Sequence, residues 1–107
     1  MKRYAQIIEL LPEKKEEYMK LHEVVWPEIA KLIYDCNIRN YSIFYRNNLL
    51  YAYYEYIGND FEANMKKMED NPINKKWWGV CKPCHKPLDD RKEGEWWASL
   101  DEIWHQD

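Results

Sequence analysis

Two periodicities of hydrophobic and polar positions divide the first third of the chain into a strand and a helical stretch. Residues 3–10 are rich in apolar and β-compatible side chains, and a Leu-Pro-Glu step follows them, which predicts a first strand that ends there. From Glu13 to Cys36 apolar residues recur about every 3.6 positions, which predicts an amphipathic helix. Pro27 lies inside this run and disfavours helical geometry at Trp26. The sequence therefore predicts two helical pieces that meet near Trp26.

The middle of the chain has the pattern of a β-hairpin. Residues Ile38–Tyr45 and Leu49–Tyr56 are dominated by Tyr, Ile, Leu and Phe. Between them lies Arg46-Asn47-Asn48, whose asparagines tolerate the left-handed backbone of a tight turn. Strict alternation along the first of these strands places its residues on two faces: Tyr41, Ile43 and Tyr45 on one, and Ile38, Asn40, Ser42 and Phe44 on the other. Neither face is simply polar.

The rest of the chain contains two helix-start signals, an irregular segment and a last predicted strand. Gly58-Asn59-Asp60 offers a stop and an N-cap for a short helix, and Asn71-Pro72 starts a further helical piece. Residues 81–95 contain two prolines, one glycine and many charges, which predicts an ordered but irregular loop. Trp96 to His105 has enough aromatic and aliphatic residues for a closing strand.

The predicted order β, α, β, β, α, β is the ferredoxin-like arrangement, an α+β fold with helices on one face of a four-stranded antiparallel sheet. A chain of 107 residues fits one domain, residues 1–107. The other face of such a sheet is uncovered, and a large aromatic patch rarely stays in water. We therefore expect two copies to pack their sheets together in a C2 dimer.

Composition narrows the classes of ligand. The chain contains nine Tyr and six Trp but only two Phe. Most of its aromatic surface therefore carries a hydroxyl or an indole N–H, which needs a hydrogen-bond partner when buried. Such a surface suits a pocket for a polyhydroxylated ligand. The net charge is −3 with no clustered basic tract, which argues against a nucleic-acid partner.

The termini and the cysteines indicate a cytoplasmic protein. No apolar run follows the basic pair near Met1, so no secretory signal is predicted. The longest apolar run, Leu49 to Tyr54, is far shorter than the roughly 18 residues that cross a bilayer, so we expect no membrane association. Three cysteines are an odd number, which favours reduced thiols over a disulfide framework.

Two aromatic groups are candidates for chemistry, and each has a structural alternative. Tyr18 and His22 lie four residues apart and project from the same helix face. A histidine gives and takes protons near neutrality, but it also packs in a core when a carbonyl satisfies it. Trp77 and Trp78, with Tyr41, offer indole and phenol surfaces for a sugar; the alternative is that they anchor the core or a dimer interface.

A Cys-x-x-Cys-His motif is the third candidate. Cys81, Cys84 and His85 match the motif of c-type haem attachment, but that chemistry follows export and no signal is predicted here. A zinc site would need a fourth ligand, for which Cys36 and His105 are available. A loop with incidental thiols is the third interpretation. Motifs of P-loop, dinucleotide, serine-hydrolase and zincin proteins are absent.

Four ordered motifs together resemble a known family. They are Tyr18-x-x-x-His22-x-x-x-Trp26-Pro27-Glu28, Asn40-Tyr41-Ser42-Ile43-Phe44, Lys76-Trp77-Trp78 and Leu100-Asp101-Glu102-Ile103-Trp104-His105. This set resembles the L-rhamnose mutarotase family over essentially the whole chain. The resemblance implies a homodimeric α+β barrel that interconverts the α and β anomers of a deoxy-hexose without metal or cofactor.

The resemblance also implies residue roles. The family's proton-donating histidine falls on His22, and its sugar-binding residues fall on Tyr18, Tyr41, Trp77 and Trp78. Trp104 stands where the family usually has Phe, and the 81–95 loop resembles that of one branch, commonly with Gln in place of His85. L-rhamnose, L-fucose and related sugars all remain open as substrate.

Two other classes of function stay open on the sequence. Fold analogy alone allows a cofactor-free monooxygenase or a haem-degrading enzyme of the dimeric α+β barrel type. A non-catalytic sugar-binding module is the other alternative, and it differs from a mutarotase in binding sugar without accelerating anomer exchange.

Overall fold

The secondary-structure elements follow the predicted order, with two helices at each helical position. A computed structural model describes residues 1–107. Its elements are β1 (Lys2–Leu10), α1 (Lys15–Leu21), α2 (Pro27–Asp35), β2 (Ile38–Arg46), β3 (Leu49–Tyr56), α3 (Phe61–Asp70), α4 (Pro72–Cys81), β4 (His85–Lys86) and β5 (Ala98–Leu100). Short 3₁₀ turns precede α1 and follow α4.

The strands form one antiparallel sheet in the order β2-β3-β1, and two short strands share the far edge of β1. β5 pairs with the middle of β1, and β4 pairs with its end at Glu9 and Leu10. The predicted α+β fold is confirmed. The sheet differs from the prediction by its extra strand, the two residues of β4, because the chain returns to the β1 edge directly after α4.

The first helical stretch divides into two helices before Pro27. α1 ends at Leu21, and α2 begins at Pro27, so a turn of five residues separates them. Trp26 has an extended backbone (ψ 129°), as expected for a residue before proline. The prediction of two helical pieces that meet near Trp26 is confirmed, because Trp26 is the N-cap of α2. The first piece ends about one turn before it, where the β-branched Val24 and Val25 further disfavour helix.

The local signals for turns and caps are confirmed. The Asp60 side chain accepts a hydrogen bond from the Ala63 N–H at the start of α3. Asn71 caps α4 in the same way. Asn47 and Asn48 both have positive φ (49° and 63°), the backbone of a two-residue hairpin turn.

A β-bulge in β2 changes which side chains share a face. Arg39 pairs with Glu55 and Ser42 pairs with Tyr53, so three steps along β2 correspond to two steps along β3. β2 therefore has one extra residue there. Asn40 adopts positive φ (51°) at this point. The bulge shifts the alternation by one residue. Ile38 therefore lies on the same face of the sheet as Tyr41, Ile43 and Tyr45. The strict alternation assumed from the sequence is wrong across this bulge.

The closing strand is much shorter than the predicted Trp96–His105. Only Ala98–Leu100 pair with β1, and residues 101–107 have no regular structure. Ala5 is opposite Leu100, so β1 has only three residues left to pair with an extension. The 81–95 segment is ordered as predicted but more regular, because it contains a 3₁₀ turn and β4 before its irregular part.

The helices cover one face of the sheet and enclose the core there. The main cluster of buried side chains combines β1, β3, α1, α2 and α4; it comprises Ile8, Leu10, Tyr18, Ile29, Leu50, Trp77, Cys81 and Cys84. The packing positions α1, α4 and β2 around a common space. None of the helices is long and apolar enough to span a lipid bilayer.

Candidate active site

The structure brings the five predicted site residues together around one cavity. Its volume is about 450 Å³, which is within the usual range for small-ligand pockets. α1 and its end contribute Tyr18 and His22, β2 contributes Tyr41, and α4 contributes Trp77 and Trp78. The lining is mostly hydrophobic and aromatic, with few polar groups.

His22 is held by the end of its own helix. It is the residue directly after α1, and its Nδ1 lies 2.8 Å from the Tyr18 carbonyl oxygen. A carbonyl only accepts, so Nδ1 carries a hydrogen and donates it. The same carbonyl also accepts the His22 backbone N–H at 3.3 Å, so both bonds hold His22 against the last turn of α1. Nε2 remains available for a proton or for a ligand.

Both phenols of the site are desolvated. Burial is the main cause that raises the pKa of Tyr18 far above its usual range, and no hydrogen bond contributes. Tyr41 as a residue is 41% exposed, but burial raises the pKa of its phenol to about 12, because the ring packs beside Tyr54 and its end lies in the cavity. Both hydroxyls therefore stay protonated near neutral pH.

The two adjacent tryptophans of α4 have different surroundings. Trp77 is only 7% exposed, and its ring packs edge to face with His22 and Trp26 at centroid distances of 5.3 and 5.0 Å. Trp78 is half-buried, and the Lys82 ammonium lies 4.6 Å from its ring centroid. Trp77 thus fixes the position of His22, whereas Trp78 forms a more open wall.

The Cys-x-x-Cys-His residues have separate surroundings. The Cys84 thiol faces the Glu17 carboxylate at 3.3 Å, whereas Cys81 lines the cavity. Burial raises the pKa of Cys81 to about 12 and that of Cys84 to about 11, and thiolates are the form that binds metal. No group of three His, Cys, Asp or Glu side chains is arranged to hold a metal ion.

Two ring-bearing residues of the cavity wall were not predicted as site residues. His85, considered only as a haem or zinc ligand, lines the cavity, and so does Trp97. Both also line a second cavity of about 460 Å³ toward β1 and α3, together with Tyr41, Trp78 and Cys81. Because His85 and Trp97 flank an irregular loop, no periodicity indicates which way they face.

Comparisons with known proteins identify related sequences over the same length. A family model described as L-rhamnose mutarotase matches residues 3–106. An L-rhamnose mutarotase of Oceanobacillus iheyensis is 35% identical over 109 residues, which cover 100% of both chains. The match therefore includes all the segments that line the cavity.

Solved structures share the fold over the whole chain. An L-rhamnose mutarotase from Formosa agariphila has a TM-score of 0.78 at 26% identity, and the match covers 100% of both chains. Tetracenomycin F2 cyclase from Streptomyces glaucescens, a type-II polyketide cyclase, has a TM-score of 0.74 at 12% identity, covering 100% of this chain and 98% of the other. At that low identity the cyclase shares only the architecture.

Proposed function

The chain belongs to the L-rhamnose mutarotase family, and on that premise we propose that it interconverts the α and β anomers of L-rhamnose or a related deoxy-hexose such as L-fucose. As a sugar mutarotase it is an isomerase. The observation that carries the proposal is His22, whose Nδ1 is engaged by the Tyr18 carbonyl while its Nε2 remains available beside a cavity of indoles and phenols.

The reaction opens and recloses a cyclic hemiacetal. A proton reaches the ring oxygen, the anomeric hydroxyl loses one, and the bond between the ring oxygen and C1 breaks to leave an aldehyde. Rotation about C1–C2 presents the other face of the carbonyl, and the same steps in reverse form the other anomer. In the form that carries a hydrogen on each ring nitrogen, His22 gives the proton from Nε2 to the ring oxygen on opening and takes it back on closure, while its Nδ1–H stays on the Tyr18 carbonyl.

Tyr18 supports this step as a hydroxyl. Its raised pKa keeps the phenol protonated, so it orients the anomeric hydroxyl or a bound water by hydrogen bonding, and the water accepts the anomeric proton. Positioned acid–base catalysis contributes about 10²- to 10⁴-fold, which suffices for a reaction that already proceeds in water.

Tyr41, Trp77 and Trp78 hold the sugar in this proposal. The Tyr41 hydroxyl has no competing hydrogen bond that affects its pKa, so it is available to a sugar hydroxyl. Indole faces suit the C–H faces of a pyranose and the methyl group of a 6-deoxy sugar. The polar tips orient the ligand while the rings exclude water.

The decisive experiment measures anomer exchange by saturation-transfer NMR with uniformly ¹³C-labelled sugars. We expect His22→Asn to lose about 10²- to 10⁴-fold of the accelerated exchange. The asparagine amide reproduces the Nδ1 donor that caps α1 but has no group at Nε2, so the fold is preserved. His105→Gln, a change in the exposed tail, is the matched control. Exchange at the wild-type rate in His22→Asn contradicts the assignment.

A panel of reducing sugars then defines the substrate. L-rhamnose, L-fucose and their epimers are compared for accelerated exchange by the wild-type protein. Saturable binding without acceleration favours the non-catalytic sugar-binding module. Oxygen uptake with aromatic substrates, or absorbance changes on haem titration, favours the oxygenase class. No contact in the cavity specifically favours either alternative.

We also propose that the protein is a homodimer in the cytoplasm. The uncovered sheet face carries aliphatic and aromatic side chains, among them Phe44, which is 62% exposed. A second copy, related by a two-fold axis, packs its own uncovered face against this one, so that the apolar side chains of both sheets are buried. The three cysteines are buried and unpaired, which is typical of a reducing compartment. Sedimentation velocity and cell fractionation test the two statements separately.

A further inference from the structure

His85 contains the one buried side-chain nitrogen or oxygen of this protein without a hydrogen-bond partner. The residue is 8% exposed, and the unpartnered atom is Nε2. A buried donor without a partner loses its hydrogen bonds to water and gains none in return, and native proteins keep few such atoms. This one is in the wall of the sugar cavity.

The partner of the other ring nitrogen defines which tautomer is present. The Trp96 Nε1 atom lies 3.1 Å from His85 Nδ1. An indole N–H only donates, so Nδ1 accepts and carries no hydrogen in this contact. Burial, with the neighbouring charges of His22 and Lys82, lowers the His85 pKa to about 4. The imidazole is therefore neutral near pH 7 with its hydrogen on Nε2, an unsatisfied donor.

Aromatic contacts place this donor next to the proposed machinery. The His85 ring packs edge to face with Tyr18, with centroids 5.1 Å apart, and the Tyr18 ring also contacts the His22 ring, with centroids 4.3 Å apart. Trp97 packs against His85 at 5.3 Å. Nε2 is covered in this arrangement, but Trp97 is only partly buried and lies in a bend before β5. Side-chain rotations at a binding surface are a common adjustment when a ligand binds.

We propose that His85 is a further substrate-binding residue, whose Nε2–H donates a hydrogen bond to a sugar hydroxyl oxygen. The inference rests on the proposed function and adds a neutral donor to the cavity wall that also contains the proton-exchanging His22. Trp96 acts through His85 as a positioning residue because its N–H selects the donor tautomer. A sugar oxygen supplies the acceptor that the protein does not.

The test separates binding from turnover. Sugar affinity is measured by titration calorimetry on wild type, His85→Phe and His85→Gln, with His105→Gln as control. His85→Phe keeps a planar ring without a donor, and we expect affinity to fall about 10- to 100-fold. Glutamine restores an amide donor near the Nε2 position, so His85→Gln is expected within about threefold of wild type. Equal affinity in wild type and His85→Phe overturns the inference.

Imidazole NMR keeps the inference testable if His85→Phe does not fold. In ¹⁵N-histidine-labelled wild-type protein, we expect His85 to show the Nε2–H tautomer and its Nε2–H resonance to shift downfield when sugar binds. An Nδ1–H tautomer, or an Nε2–H resonance that sugar leaves unchanged, overturns the inference. Failure of the proposed function is distinguishable, because sugar then binds to wild type without accelerated exchange, or does not bind at all.

Discussion

At the scale of single residues, the cavity contains two histidines in opposite tautomers, each selected by one hydrogen bond. The Tyr18 carbonyl requires a donor and places the hydrogen of His22 on Nδ1. The Trp96 indole requires an acceptor and leaves the hydrogen of His85 on Nε2. The same side-chain type therefore presents in one wall an Nε2 that takes up and gives a proton, and in another an Nε2–H that only donates a hydrogen bond. Neither role follows from residue identity, since each depends on a neighbour.

Stability in mild acid is expected to depend on His85. Its pKa of about 4 lies below the unfolded value of about 6.5, so between these values the unfolded chain binds more protons than the native one. The free energy of unfolding therefore falls as the pH decreases through this window. The contribution lost between pH 7 and pH 5 is about 2 kcal/mol. Denaturant unfolding of wild type and His85→Gln at several pH values measures it.

The difference between the two proteins isolates this effect. Carboxylates such as Asp35 and Glu55, whose pKa values are lowered by hydrogen bonds, lose their contributions equally in both proteins. His85→Gln is therefore expected to lose less stability than wild type over the same range. Parallel curves for the two proteins contradict the lowered pKa of His85.

At the scale of elements, the sequence was informative where a local signal determines the backbone. Asp60 and Asn71 cap their helices as predicted, and the Asn47-Asn48 turn joins the hairpin. The bulge at Asn40 was not predictable, because alternation assumes an unbroken ladder and asparagine is also common in ordinary loops. The bulge residues Asn40 and Tyr41 stand opposite Tyr54, and the bulge lets Ile38 share the helix-covered face with Tyr41.

Asn40→Val tests the role of the bulge in placing Tyr41. Valine is disfavoured at positive φ by about 1–2 kcal/mol, and we expect that loss in the free energy of unfolding together with weaker sugar binding. Asn40→Gly adopts the same backbone without strain. It loses only the exposed hydrogen bond to Glu55, so it is the matched control. Chemical denaturation and sugar titration give the two measurements, and equal behaviour of both variants contradicts the role of the bulge.

At the scale of the whole molecule, the two faces of the sheet have different partners. The helix-covered face buries alternate residues of β3, from Leu50 to Tyr56, and encloses both cavities. The five residues that meet at the first cavity were predictable as a group, because helix spacing and the motifs of the resembled family single them out. The donor of His85 was not, because long-range packing of an irregular loop against α1 creates it. The opposite face carries Phe44 and Tyr51 side by side, paired across β2 and β3.

Phe44→Lys is expected to convert the proposed dimer into a monomer. Phe44 is exposed on the single chain, so replacing it changes folding stability little. In a two-fold contact between apolar sheet faces, however, a lysine must lose its hydration without a partner, which costs several kcal/mol per site. Val24→Lys, at a position that is 77% exposed in the turn after α1, adds the same charge away from the sheet and is expected to leave the mass unchanged. Sedimentation velocity at micromolar concentration distinguishes the outcomes: a Phe44→Lys variant that sediments like wild type excludes this face as the interface, because no apolar sheet contact tolerates two unpaired cations.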